Sequence, residues 1–131
     1  MKPALRNKSK YTGIKRIAFS IKYSIDGLVY AYAHEKSLWI HGFLSIAAIL
    51  VGLFLGISVY EWSIILISLG VILAFELVNT GMEACVDMVT TEFHPLAKIA
   101  KDCCSAASFV TSMIGAILTF SIFIPKIISL F

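Results

Sequence analysis

Two stretches without a single Asp, Glu, Lys or Arg, Ser37 to Tyr60 and Cys103 to Pro125, decide what this chain can fold into. Each exceeds the roughly 18 apolar residues at which a run reads as a bilayer-crossing helix. Hydrocarbon offers the backbone no water, so segments of this kind bond internally as helices. The chain has 131 residues, of which 59% are hydrophobic and 15% charged, against about 25% charged in a soluble domain. A small soluble domain leaves roughly 30% of its unfolded surface wet, too much for so apolar a composition. The expectation is an all-α integral membrane protein, one domain over residues 1–131.

The basic residues organise the rest. Lys2, Arg6, Lys8, Lys10, Lys15, Arg16 and Lys22 open the chain with no acid among them. No apolar core with a small-residue cleavage site follows closely enough for a secretory signal. Ile14, Ile17, Ala18, Ile21 and Ile25 then recur at three- and four-residue spacing. That pattern predicts an amphipathic surface helix within about residues 14–34, lying in the bilayer interface. Packing of that helix on the protein's own body is the alternative, and Gly27 allows a break in it. Three spans are expected over about residues 37–58, 62–90 and 95–124. Pro95 suits the first turn of the last span, and Pro125 is expected to end it. With the N-terminus in the cytoplasm, all of the eleven Lys and Arg except Lys126 fall at or near the inner face. This is a strong positive-inside bias. The net charge of +3 then belongs to lipid headgroups and phosphates, not to nucleic acid. Cys85, Cys103 and Cys104 show neither a CxxC nor metal-ligand spacing, and read as small apolar side chains in helix packing.

The chemistry concentrates in ELVNTGMEACVD, Glu76 to Asp87. At about 100° per residue, Glu76, Asn79, Glu83 and Asp87 share one stripe of a helix, with Thr80 at its edge. Leu77, Val78, Met82 and Val86 take the other faces. Three carboxylates on one membrane helix are costly unless paired, wetted or holding a cation. A second cluster, Lys98, Lys101, Asp102 and Ser105, opens the last span. Its lysines could simply snorkel to headgroups. Beside a carboxylate stripe they also suit phosphate, since phosphoryl transfer needs carboxylates for a divalent ion, lysine for phosphate oxygens and one carboxylate for a proton. Glu35 reads either as a further member or as a solvated interfacial charge. No GxxxxGK[ST], GxGxxG or kinase catalytic-loop pattern occurs. The residues alone do not choose between phosphoryl transfer and a cation path.

Glu76–Asp87 resembles the prokaryotic diacylglycerol kinase family, which includes the undecaprenol kinases. The family pattern is roughly E-x-[LIVM]-N-[ST]-[SA]-[LIV]-E-x-x-V-D. The chain departs from it at Gly81 and Met82, both off the stripe. The likeness continues through Glu92-Phe93-His94-Pro95-Leu96-Ala97-Lys98, Lys101-Asp102, Tyr23-Ser24 and Glu35. It implies a surface helix plus three transmembrane helices, assembled as a homotrimer with sites shared between subunits. It also implies a lipid kinase of the bacterial cell membrane, with ATP as phosphoryl donor, Mg2+ as cofactor and the site facing the cytoplasm. By the same resemblance Glu76 is the general base and touches the lipid, Asn79 orients it or a phosphate oxygen, and Glu35 and Glu83 hold the metal and with it the nucleotide. Nucleotide contacts fall on Arg16, Tyr23, Glu92, Phe93, His94, Lys101 and Asp102, and Ser105 lies near the lipid headgroup. His41 and the His94–Lys98 run look more like the undecaprenol branch than the diacylglycerol branch.

Two other classes compete. A cation channel or transporter subunit would line its path with Glu76, Glu83 and Asp87, but a lysine mouth repels cations. A non-catalytic adaptor displaying its basic N-terminus to anionic lipid leaves the carboxylate stripe unexplained.

Overall fold

The computed structural model describes residues 12–131, which form four helices: α1 (Gly13–His34), α2 (Lys36–Leu55), α3 (Val59–Val89) and α4 (Pro95–Ile128). Lys2, Arg6, Lys8 and Lys10 lie outside the described residues. The chain divides after His34 into two compact units, the second being Glu35–Phe131. Helix α1 continues through Gly27 without the break that the sequence allows there. One helical glycine costs about 1 kcal/mol, which good neighbours carry. Within α1, Tyr30 stacks on His34 with ring centroids 4.1 Å apart.

In the second unit several helix ends have a local cause. Gly56 closes α2 at φ 58°, ψ 46°, a left-handed conformation that a residue with a Cβ adopts at a cost. The Gly56 amide bonds the Leu53 carbonyl at 3.4 Å and the Ile57 amide bonds the Gly52 carbonyl at 3.3 Å, a Schellman closure. Ser58 then opens α3 with a capping box: the Glu61 amide donates to Ser58 Oγ, and the Ser58 amide donates to the Glu61 carboxylate at 2.6 Å. Pro95 occupies the first turn of α4, and His94 Nδ1 accepts from the Leu96 amide at 3.2 Å. Pro125 does not end α4, as expected from sequence; it sits inside the helix, which runs on to Ile128. A membrane helix has no water to take over its backbone groups, so losing one N–H donor is less costly than abandoning the turn. The Pro125 carbonyl still accepts from the Ser129 amide at 3.0 Å.

Helices α2, α3 and α4 are each long and apolar enough to cross a membrane. At a rise of about 1.5 Å per residue α2 extends about 30 Å, the thickness of a bilayer core, while α3 and α4 extend about 46 and 51 Å. The extra length of α3 is its polar part, from Glu76 onward. Helices α3 and α4 form the main pairing, with α2 against both. The α3–α4 hairpin is antiparallel, and an ion pair marks each end of it, Glu61 with Lys126 at 3.2 Å and Asp87 with Lys101 at 2.5 Å. Between them Gly115 lets the backbone approach Ile72: a Cβ there would stand 2.5 Å from Ile72 Cδ1. The apolar core, Ile57, Ile65 and Phe123 with Trp62 and Leu69 around them, lies toward the Glu61 end. The three cysteines are free, but Cys85 and Cys103 are exposed and Cys104 only half-buried.

Candidate active site

The buried face of α3 runs through Ile65, Ser68, Ile72, Glu76 and Thr80. Its spacing is that of the carboxylate stripe, so the two are one face that changes chemistry along its length. Glu76 stands at the change, 6% exposed, and Thr80 is 5% exposed. Asn79 and Glu83 are half-buried and Asp87 is exposed, so the stripe climbs from the helix interface toward water.

Each Glu76 oxygen has its own partner from α2. Ser37 Oγ donates to Oε2 at 2.8 Å, and His41 Nε2 lies 3.3 Å from Oε1. Thr80 Oγ1 donates to the Glu76 carbonyl at 3.0 Å. The Asn79 amide nitrogen donates to Glu83 Oε1 at 3.0 Å, while Asn79 Oδ1 is buried without a partner. The register set by Asp87–Lys101 and Ile72–Gly115 brings Ser108 of α4 to the level of Asn79. The Ser108 hydroxyl is likewise buried and unpartnered.

The outer part of the site is a cleft of about 280 Å³ between the end of α3, the 90–94 connection and the start of α4. Asp87, Glu92, Phe93, His94, Lys98, Lys101 and Asp102 line it. The connection is held by Thr90, whose Oγ1 accepts from the Glu92 amide at 3.1 Å. The lysines part company: Lys101 reaches across to Asp87, whereas Lys98 pairs with Asp102 one turn along α4. Ion pairs this exposed contribute at most about 1 kcal/mol. They position charge around the cleft more than they hold the helices together. A neighbouring apolar hollow of about 500 Å³, lined by Met82, Cys85, Val89 and Leu96, opens beside it.

Ser105 is exposed on α4, one turn beyond Lys101. Glu35 is the N-cap residue of α2 and half-buried. Arg16 and Tyr23 are on α1, in the first unit. Among the described residues no three His, Cys, Asp or Glu side chains converge to hold a metal. Mg2+ takes only one or two protein carboxylates beside waters and phosphate oxygens. Glu35 and Glu83 are half-buried carboxylates, hard oxygen donors of the kind that ion takes, so the donor chemistry fits it.

Neither Ser37 nor His41 is among the site residues expected from sequence, where His41 marks only a subfamily. The signal for both was present: they are polar residues at i and i+4 within a charge-free span, a pairing that needs a buried partner.

Helices made for a bilayer, with a buried carboxylate where the apolar length ends and a charged cleft beyond it, define a membrane protein with its polar site at one end of the bundle. The family model described as prokaryotic diacylglycerol kinase matches residues 22–123. The undecaprenol kinase of Bacillus subtilis (strain 168) is 37% identical over 93 residues, 71% of this chain and 76% of that protein. The diacylglycerol kinase of Helicobacter pylori (strain J99) is 36% identical over 101 residues, 77% of this chain and 79% of that protein. That of Pseudomonas aeruginosa is 38% identical over 99 residues, 76% and 80% of the two chains. The chain belongs to the prokaryotic diacylglycerol kinase family, a family of lipid kinases, and such an enzyme requires a phosphoryl donor such as ATP.

Proposed function

We propose that this protein transfers the γ-phosphoryl group of ATP to the hydroxyl of a membrane lipid alcohol, undecaprenol by preference, giving undecaprenyl phosphate. The observation that carries the reading is Glu76: a carboxylate 6% exposed, at the depth where the apolar part of α3 ends, between an apolar bundle and a charged cleft. A lipid hydroxyl arrives laterally at headgroup depth, and ATP arrives from water, so a base must stand at their boundary.

Glu76 takes the proton of the lipid hydroxyl as its oxygen attacks the γ-phosphorus, a general-base role worth about 10²- to 10⁴-fold in rate. Asn79 orients Glu76 or a phosphate oxygen. Glu83 and Glu35 hold Mg2+, which when bound offsets phosphate charge that the acidic stripe would repel. Lys101 and Asp102, with Glu92, Phe93 and His94, contact the nucleotide in the cleft, and Arg16 and Tyr23 contribute from α1. Ser105 meets the lipid headgroup. The active enzyme is a homotrimer in the bacterial cell membrane, with N-terminus and site on the cytoplasmic side and α1 in the interface.

The undecaprenol preference is supported by the His94–Lys98 run and by the Bacillus subtilis relative. Diacylglycerol is the second reading, favoured by relatives of that name at comparable identity. Transfer of labelled γ-phosphate in mixed micelles containing either lipid decides between them. Preferential labelling of undecaprenol is expected; preferential labelling of diacylglycerol reverses the substrate, and transfer to neither overturns the kinase reading.

A further inference from the structure

Ser37 and His41 stand one helical turn apart on α2, on either side of Leu38, which is 1% exposed. That packed turn faces α3, and its two polar side chains meet the two oxygens of one carboxylate: Ser37 Oγ at 2.8 Å from Glu76 Oε2, His41 Nε2 at 3.3 Å from Oε1. The Glu76 side chain is 8% exposed and the His41 side chain 20%. A buried carboxylate without donors is costly, so the pair satisfies a need of the fold. It does more than that. Contacts to one oxygen alone would leave the carboxylate free to pivot, whereas a hydrogen bond on one oxygen and a polar contact on the other fix both its plane and its position. A carboxylate accepts about four hydrogen bonds. The clamp therefore leaves lone pairs open for a lipid hydroxyl.

We infer that His41, together with Ser37, is a positioning residue that holds the Glu76 carboxylate in the orientation for proton abstraction. The inference rests on Glu76 being the base. In the step it serves, the lipid O–H bond breaks and its proton passes to a Glu76 lone pair. The electron pair left on the lipid oxygen forms the new bond to the γ-phosphorus, and the bond from that phosphorus to the bridging oxygen breaks, releasing ADP. His41 gains and loses nothing. A donor role toward Oε1 requires the hydrogen on Nε2.

The test compares His41→Ala, His41→Gln and Ser37→Ala in lipid phosphorylation with kcat and KM measured separately. His41→Ala is expected to lose about 10- to 10²-fold in kcat, the size of effect that misplacing a reacting group produces, with KM for ATP unchanged. His41→Gln, whose amide N–H reaches the place of Nε2–H, is expected to recover most of that loss. Ser37→Ala provides the same kcat-only signature with a smaller change, should His41→Ala fail to fold. In a Glu76→Gln background, His41→Ala is expected to cost nothing further. If Glu76→Gln is inactive while His41→Ala and Ser37→Ala both keep normal kcat, the clamp is overturned and the base reading stands. Equal loss in His41→Ala and His41→Gln overturns it too. An active Glu76→Gln enzyme overturns the base reading itself.

Discussion

The Glu76 carboxylate and its neighbours divide the work of the site by depth. Glu76 is enclosed by α2 and α3, Glu83 is half-buried beside an amide, and Asp87 is already in an exposed ion pair. Glu76→Gln keeps the shape and removes the base, so turnover should fall by about 10²- to 10⁴-fold while magnesium-nucleotide binding persists; near-normal turnover would remove Glu76 from that role. Glu83→Gln should raise the magnesium concentration needed for half-maximal activity, and an unchanged magnesium dependence would take Glu83 out of the metal site. The stripe itself was legible in the sequence, because four polar side chains at helical spacing in an apolar helix have few structural explanations. That Ser37 and His41 close on Glu76 was not, since pairing between α2 and α3 depends on how two helices rotate against each other, which no local spacing encodes.

Among the elements, the α3–α4 hairpin carries the site and α2 supplies its wall. The hairpin stands mainly on packing at the Gly115–Ile72 approach and the Ile65–Phe123 core, and its ion pairs add little. Lys101→Met should therefore leave the unfolding midpoint almost unchanged, yet depress ATP-dependent transfer strongly; equal losses in stability and activity would make Lys101 structural. At the other end Ser58→Ala opens the capping box of α3 and should cost about 1 kcal/mol without touching kcat, as read from a denaturation midpoint and a rate. The start of α4 was readable because Pro95 in a first turn is local chemistry, whereas α3 begins at Val59, ahead of the expected Trp62, on a Ser58 cap taken from sequence as the end of the preceding span. Pro125 misled because it is an ordinary helix breaker, whereas α4 runs on through it to Ile128; the break that Gly27 allowed does not occur in α1.

For the molecule as a whole, the outward faces of α2, α3 and α4 remain apolar, with Phe43, Phe54, Ile67, Phe109 and Phe120 each at least 60% exposed. Lipid covers some of this surface and, on the proposed reading, sister subunits cover the rest. The protein mass in detergent, detergent subtracted, should equal three chains of 14.4 kDa each; a fully active single chain would overturn the trimer.

Membrane residence, the helical class, the carboxylate stripe and the lysine-bearing start of α4 were all determined by the sequence alone. Each is a property of one segment: the length of an apolar run, the angle between residues on one helix, or a cap beside a turn. The antiparallel register of α3 on α4, the seating of Glu76 between Ser37 and His41, and the separation of Lys98 and Lys101 onto different carboxylates were decided only by the tertiary structure. Those depend on which faces of different helices meet, and that choice is made by packing side chains distant in the chain against one another.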